Sequence, residues 1–182
     1  TKMFWVVDAD AEILPEFNFD YNLAYKDIDL ETVYVYRSRN AVNGLVYGYG
    51  GVKLLPKKLT SNVDINTADM TTSITSKFVP LPELSNITAF NTDPFNTWKS
   101  AFRECTKLSS KIIRKQNDQE TERRLQVWAT VGSDKEYGEY AIQGANAGKL
   151  YGEENCNDID KLKLINDFDW LREQFNATCK EH

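Results

Sequence analysis

The chain has 182 residues, of which 41% are apolar and 27% charged, enough for one well-buried core and unlike the composition of a disordered segment. Its 27 acidic and 22 basic side chains give a formal charge of -5, which disfavours a general nucleic-acid-binding surface and leaves room only for a local basic groove. No apolar run approaches the roughly 20 residues that a bilayer span requires, and the opening TKMFWVVDAD lacks signal-peptide architecture. The expectation is therefore a single cytoplasmic domain over residues 1–182 with no membrane partner. Cys105, Cys156 and Cys179 are odd in number and widely spaced, which points to reduced thiols rather than disulfides or a metal knuckle.

In chain order, Met3 to Val7 has the length and composition of a buried strand, and a carboxylate pair, Asp8 and Asp10, follows at once. Thr32 to Arg37 alternates β-branched with aromatic residues and predicts a second strand. Val46 to Leu55 predicts a third, in which Gly48, Gly50 and Gly51 mark a bulge or a close approach of backbone to ligand. Residues 56–85 read as an irregular region with a short strand near Phe78, and Ile87 to Phe90 as another short strand.

Thr92 or Asp93 can cap a helix that has Pro94 at its first position and runs to about Arg114. Asn117 or Asp118 can cap a second helix through Trp128, closed by Val131-Gly132, with Glu120 and Glu122 where the helix dipole favours acids. Tyr140 to Ile142 reads as a short strand ahead of the glycine-containing QGANAG. A last amphipathic helix opens at Asn157 or Asp158, with Ile159, Leu162, Ile165, Phe168, Leu171 and Phe175 at three- and four-residue spacing. These elements predict an α/β protein with a mixed sheet flanked by helices.

The chemistry concentrates at Trp5-Val-Val-Asp8-Ala-Asp10. Two carboxylates just past a buried strand would stand at the carboxyl edge of a sheet, where open α/β folds bind ligands. Hard oxygen donors of this kind suit Mg2+ or Mn2+, held by one or two carboxylates together with substrate phosphates. Two solvated acids opening a turn are the plain alternative. Asp118 and Glu120 could serve a hydroxyl acceptor as general base, or simply cap a helix and fill its first turn. Lys53, Arg37, Arg123 and Arg124 are cations with the reach to meet phosphate, or ordinary surface charge.

WVVDAD resembles the DxD motif of GT-A glycosyltransferases, and NDQETERRLQVWATVG, about a hundred residues later, resembles that family's acid-pair helix with its leucine, arginine and closing glycine. More weakly, the whole chain is similar to glycosyltransferase-like proteins of large tailed phages. The resemblance implies a metal-dependent enzyme that moves a sugar from a nucleotide-sugar donor to a hydroxyl acceptor, on a GT-A-like fold. It implies that Asp8 lies near the ribose or the metal, that Asp10 ligates the metal, that Lys53 helps bind the cofactor, and that Asp118 or Glu120 is the base. Two departures stand out. Only seven residues precede Asp8, where the family carries a nucleotide-binding region, so a C-terminal portion of a larger domain is expected. The single histidine is His182, where many members supply a further ligand, and water or Asn146 would have to stand in for it.

Two other function classes fit the same residues. A strand ending in D-x-D also resembles haloacid-dehalogenase-type phosphatases, with Asp8 as nucleophile and Asp10 as acid/base. A non-catalytic module could instead present Tyr34, Tyr36, Tyr47 and Tyr49 as a sugar- or partner-binding face, although core packing is the commoner use of such residues.

Overall fold

The computed structural model describes residues 2–20, 28–48, 50–63, 67, 69–112 and 119–179. The protein is mixed α/β with a mixed sheet, and by its internal contacts the chain divides into two compact units, Thr1–Ala89 and Phe90–His182, where length predicts one domain.

The first unit is built on a six-stranded sheet. Its strands are β1 (Met3–Val7), β2 (Ala11–Ile13), β3 (Val33–Asn40), β4 (Val46–Tyr47), β5 (Val52–Pro56) and β6 (Phe78–Thr88), in the order β1-β5-β3-β6-β2, with β4 beside β3. Two one-turn helices, α1 (Lys57–Thr60) and α2 (Met70–Ser73), interrupt the region that the sequence predicts as irregular. The alternation in TVYVYR now has a physical meaning. Val33 and Val35 pack with Leu55 and Ile74 on one side of the sheet, while Tyr34 and Tyr36 pack with Met3, Val52, Leu54 and Leu81 on the other. Both faces of β3 are therefore covered.

The separate strands predicted near Phe78 and at Ile87 are one strand, β6. It carries Pro80 and Pro82, which sit where, among the described residues, β6 has no second paired strand, since β2 pairs with Asn86 to Thr88. Proline costs no ladder bond in such a place. The parallel register of β3 with β6 shifts between Val35 and Arg37, which face Pro80 and Leu84, and again between Arg37 and Ser38, which face Leu84 and Asn86, so β6 is irregular over Leu81–Glu83 and bulges at Ser85.

The sheet cannot be flat. Four Cα steps link the end of β1 to the start of β2, a reach of at most about 15 Å, whereas four strand spacings separate the two in a flat sheet, about 19 Å. The sheet curls so that its outer strands approach, and the chain crosses between them at Asp8-Ala9-Asp10.

Among its described residues the regular elements of the second unit are all helical: α3 (Pro94–Ser109), α4 (Gln119–Thr130), α5 (Gly138–Glu154), α6 (Ile159–Lys163), a 3-10 turn (Leu164–Asn166) and α7 (Phe168–Thr178). Asp93 caps α3 by accepting from Asn96 N–H, with Pro94 in the first turn, as the sequence predicts. The predicted strand at Tyr140 to Ile142 is instead the first turn of α5. Gly144, Gly148 and Gly152 lie one turn apart against the backbone of Trp98, Phe102 and Thr106, an approach only glycine permits. The single last helix of the sequence reading is two, broken before Phe168 where Asp167 caps α7 through the N–H groups of Asp169 and Trp170.

Candidate functional site

Asp8, Ala9, Asp10 and Ala11 form a tight turn closed by Ala11 N–H donating to Asp8 C=O at 3.0 Å. The turn is fastened on both sides. Asp8 N–H donates to Gly51 C=O at 2.8 Å, and Ala89 N–H donates to Asp10 C=O at 2.8 Å, so β5 and the end of β6 hold its two halves.

Lys53 lies opposite Val6 in the antiparallel β1–β5 register. Cross-strand partners share a face, as do Val6 and Asp8 two positions apart, so the lysine emerges on the side of the sheet that carries Asp8. Its Nζ donates to Asp8 Oδ1 at 2.6 Å, and its side chain is 10% exposed against 42% for that of Asp8. A largely buried ammonium without an anion is costly, so the aspartate is the group that lets Lys53 sit there.

Glycines shape the approach. Gly50 has a φ of +84°, a conformation that favours glycine, and a Cβ there would stand 2.8 Å from Lys53 Cε. At Gly51 a Cβ would lie 2.7 Å from the amide of Asn86, which is fully buried. Asn86 Oδ1 accepts from Ser38 Oγ at 2.7 Å and from Ser85 Oγ at 2.8 Å. A buried polar cluster thus supports the glycine pair whose carbonyl holds the Asp8 backbone. Sequence reasoning flagged the glycines and missed Asn86, whose place depends on the bulge that turns Ser85 and Asn86 inward.

The remaining candidates are distributed as follows. Glu120 is in the first turn of α4, in the second unit, where it accepts from Arg123 Nε at 2.8 Å and Arg123 NH2 at 2.6 Å, with Arg124 Nε at 3.5 Å. The bonds from Arg123, with the charges of both arginines, hold its carboxyl down at about 2. That is poor poise for a general base, whose pKa works best near the operating pH. Arg123 and Arg124 are correspondingly committed to Glu120. Asn146 donates to Ile142 C=O on its own helix at 2.9 Å. Asp118, Tyr49 and His182 lie outside the described residues. Tyr34, Tyr36 and Tyr47 are buried, so these three are core and present no binding face.

The reason given by sequence for a ligand site at Asp8 also changes. β1 is antiparallel to β5, and among the described strands parallel pairing is confined to β3 with β6. The rule that ligands gather at the carboxyl ends of parallel strands therefore does not cover β1. Chemically, the turn offers hard oxygen donors, and Lys53 bonds one of the two Asp8 oxygens. Mg2+ and Mn2+ are often held by one or two carboxylates with phosphates and water completing the shell, and Asp8 and Asp10 are donors of that chemical type. Among the described residues no group of three or more His, Cys, Asp or Glu side chains is placed to hold a metal by itself. Among them, too, no helix is long and apolar enough to cross a membrane. No family model matches the sequence, and no curated protein or solved structure matches it.

Proposed function

We propose that the chain is the metal-binding part of a glycosyltransferase, in which Asp8 and Asp10 hold a divalent cation and Lys53 meets the diphosphate of a nucleotide-sugar donor as its sugar passes to a hydroxyl acceptor. The observation that carries this reading is the Lys53–Asp8 pair: an almost buried ammonium bonded to the first of two carboxylates in a turn, beneath a glycine pair. The bound cation would neutralise charge developing on the leaving diphosphate.

This chain's own residues orient and stabilise. The main chain of the turn is fixed through Gly51 and Ala89. Lys53 brings a positive charge that no solvent shell fully screens, and Gly50 leaves the backbone bare beside it. Of the two acids that the resemblance names as candidate base, Glu120 is held ionised by its arginines and has little basicity left. Glu120 then serves to fix Arg123 and Arg124.

The test is a thermal melt with Mn2+ and a nucleoside diphosphate. At 100 times Kd, linkage gives about 2.7 kcal/mol, which is several degrees in Tm for a chain of this size. Asp10→Ala should abolish the shift. No shift in the wild type with any of the common bases, or an undiminished shift in the variant, defeats the reading.

A further inference from the structure

On α3, Phe95, Lys99 and Arg103 follow one another at four-residue spacing and so share a side of the helix, and on α7 Phe168 and Arg172 do the same. The two helices bring them into one row of alternating cations and rings. Arg172 Cζ stands 3.4 Å from the centre of the Phe95 ring, Lys99 Nζ lies 5.4 Å from that ring and 4.5 Å from Phe168, and Arg103 Cζ ends the row 5.7 Å from Phe168. Neutral amides hold two of the cations: Lys99 Nζ donates to Asn96 Oδ1 and Arg103 NH2 to Asn166 Oδ1, both at 2.7 Å. The acids are set apart from the row. Asp93, which also feels the charge of Arg172, and Asp167 turn their carboxylates onto N–H groups of the helices they cap. Glu104, Asp169 and Glu173 each come one residue after a member of the row, about 100° round the helix. Phe95 is buried, whereas Phe168 is 54% exposed.

We propose that this row is a binding surface for single-stranded nucleic acid. An open ring beside long cationic side chains matches the two parts of an unpaired nucleotide: the base stacks on Phe168, and the phosphates on either side of it meet Lys99 and Arg103. An acidic peptide would use the cations and bring no planar group to the ring. A duplex keeps its bases stacked on one another and has none to lend. The separation of acids from the row explains how a chain of charge -5 can attract a polyanion at one place while its overall charge opposes binding elsewhere. The surface lies in the second unit and stands apart from the proposed metal site, so either can fail without the other.

The experiment is fluorescence anisotropy of the full chain with a labelled deoxythymidine oligomer of about 12 residues, and with its uridine counterpart, at about 50 mM salt and without added metal. Wild type should bind at least one of them, and the stronger of the two identifies DNA or RNA as the ligand. Phe168→Ala should bind about tenfold more weakly, since the stacking of one base is lost. Phe168→Leu keeps an apolar side chain without a ring and should lose as much, so it serves if the alanine variant melts early. In Lys99→Gln the slope of log K against log salt should fall by about 0.7, the share of one phosphate contact on a single strand. A duplex of the same length should bind more weakly than the single strand. Absence of binding to both oligomers, or equal affinity in wild type and Phe168→Leu, overturns the proposal. Displacement by polyglutamate at equal charge overturns it in favour of an acidic peptide.

Discussion

Glu120 shows how a residue's surroundings decide its role. Its type and its place at a helix start are visible in sequence, but whether it can take up a proton depends on which cations reach it. Two arginines three and four positions on lie within bonding distance and depress its carboxyl from 4.5 to about 2. Because the folded value is the lower one, the pair's contribution to stability is present above about pH 4.5 and is lost as pH falls from there toward 2. The carboxylate is 43% exposed, so this contribution is below about 1 kcal/mol. Urea midpoints of wild type and Glu120→Gln should differ slightly at pH 7 and at pH 5, and converge by pH 2 to 3. A gap that persists undiminished in acid would mean that the ion pair is not its source. The cysteines follow the same logic: Cys105 is wholly buried and burial pushes its thiol well up, which makes it an inert core residue.

At the scale of elements, the least legible part of the sequence was α5. Four glycines in GEYAIQGANAGKLYGEE lower helix propensity, and the local reading made the segment a short strand followed by a glycine-containing stretch. The helix forms because a neighbour repays it. With no Cβ at Gly144, Gly148 and Gly152, α3 and α5 come close enough for the backbone of Trp98, Phe102 and Thr106 to fill those spaces, and Thr106 Oγ1 donates to Gly148 C=O at 3.0 Å. Gly148→Ala would put a methyl group 2.2 Å from the Phe102 carbonyl oxygen, a contact that requires the helices to part. The expected loss is about 1–3 kcal/mol, several degrees in Tm, whereas Leu150→Ala, at a side chain 59% exposed on the same helix, should change stability by less than about 0.5 kcal/mol. A melt in which Gly148→Ala matches wild type would contradict the close packing. Capping, by contrast, was readable from sequence, as Asp93 with Pro94 shows, because the groups involved lie within three residues of each other.

Across the whole molecule, the two units have cores of different character: β-branched and aromatic side chains on a curled sheet in one, and an aromatic cluster around Trp98, Phe102 and Phe175 with glycine-mediated helix packing in the other. Native-state hydrogen exchange should therefore resolve two protected cores, one at Val33–Val35 with Val52–Leu55 and one at Trp98–Leu108 with Ala141–Gly152. Protection confined to one of them would remove the other as an ordered core. The sequence alone determined what depends on near neighbours: the β1 strand and its aspartate pair, the alternation along β3 and the cap of α3; the single strand expected over Val46 to Leu55 is instead two, β4 and β5, parted at the glycines. Tertiary structure decided what depends on distant partners. It ran β1 antiparallel to β5, brought Lys53 to Asp8 from 45 residues away, turned Asn86 inward beneath Gly51, and made a helix of a glycine-rich segment. Short-range hydrogen bonds and side-chain periodicity are written in consecutive residues, while the sharing of one buried charge between strands exists only once the sheet has curled.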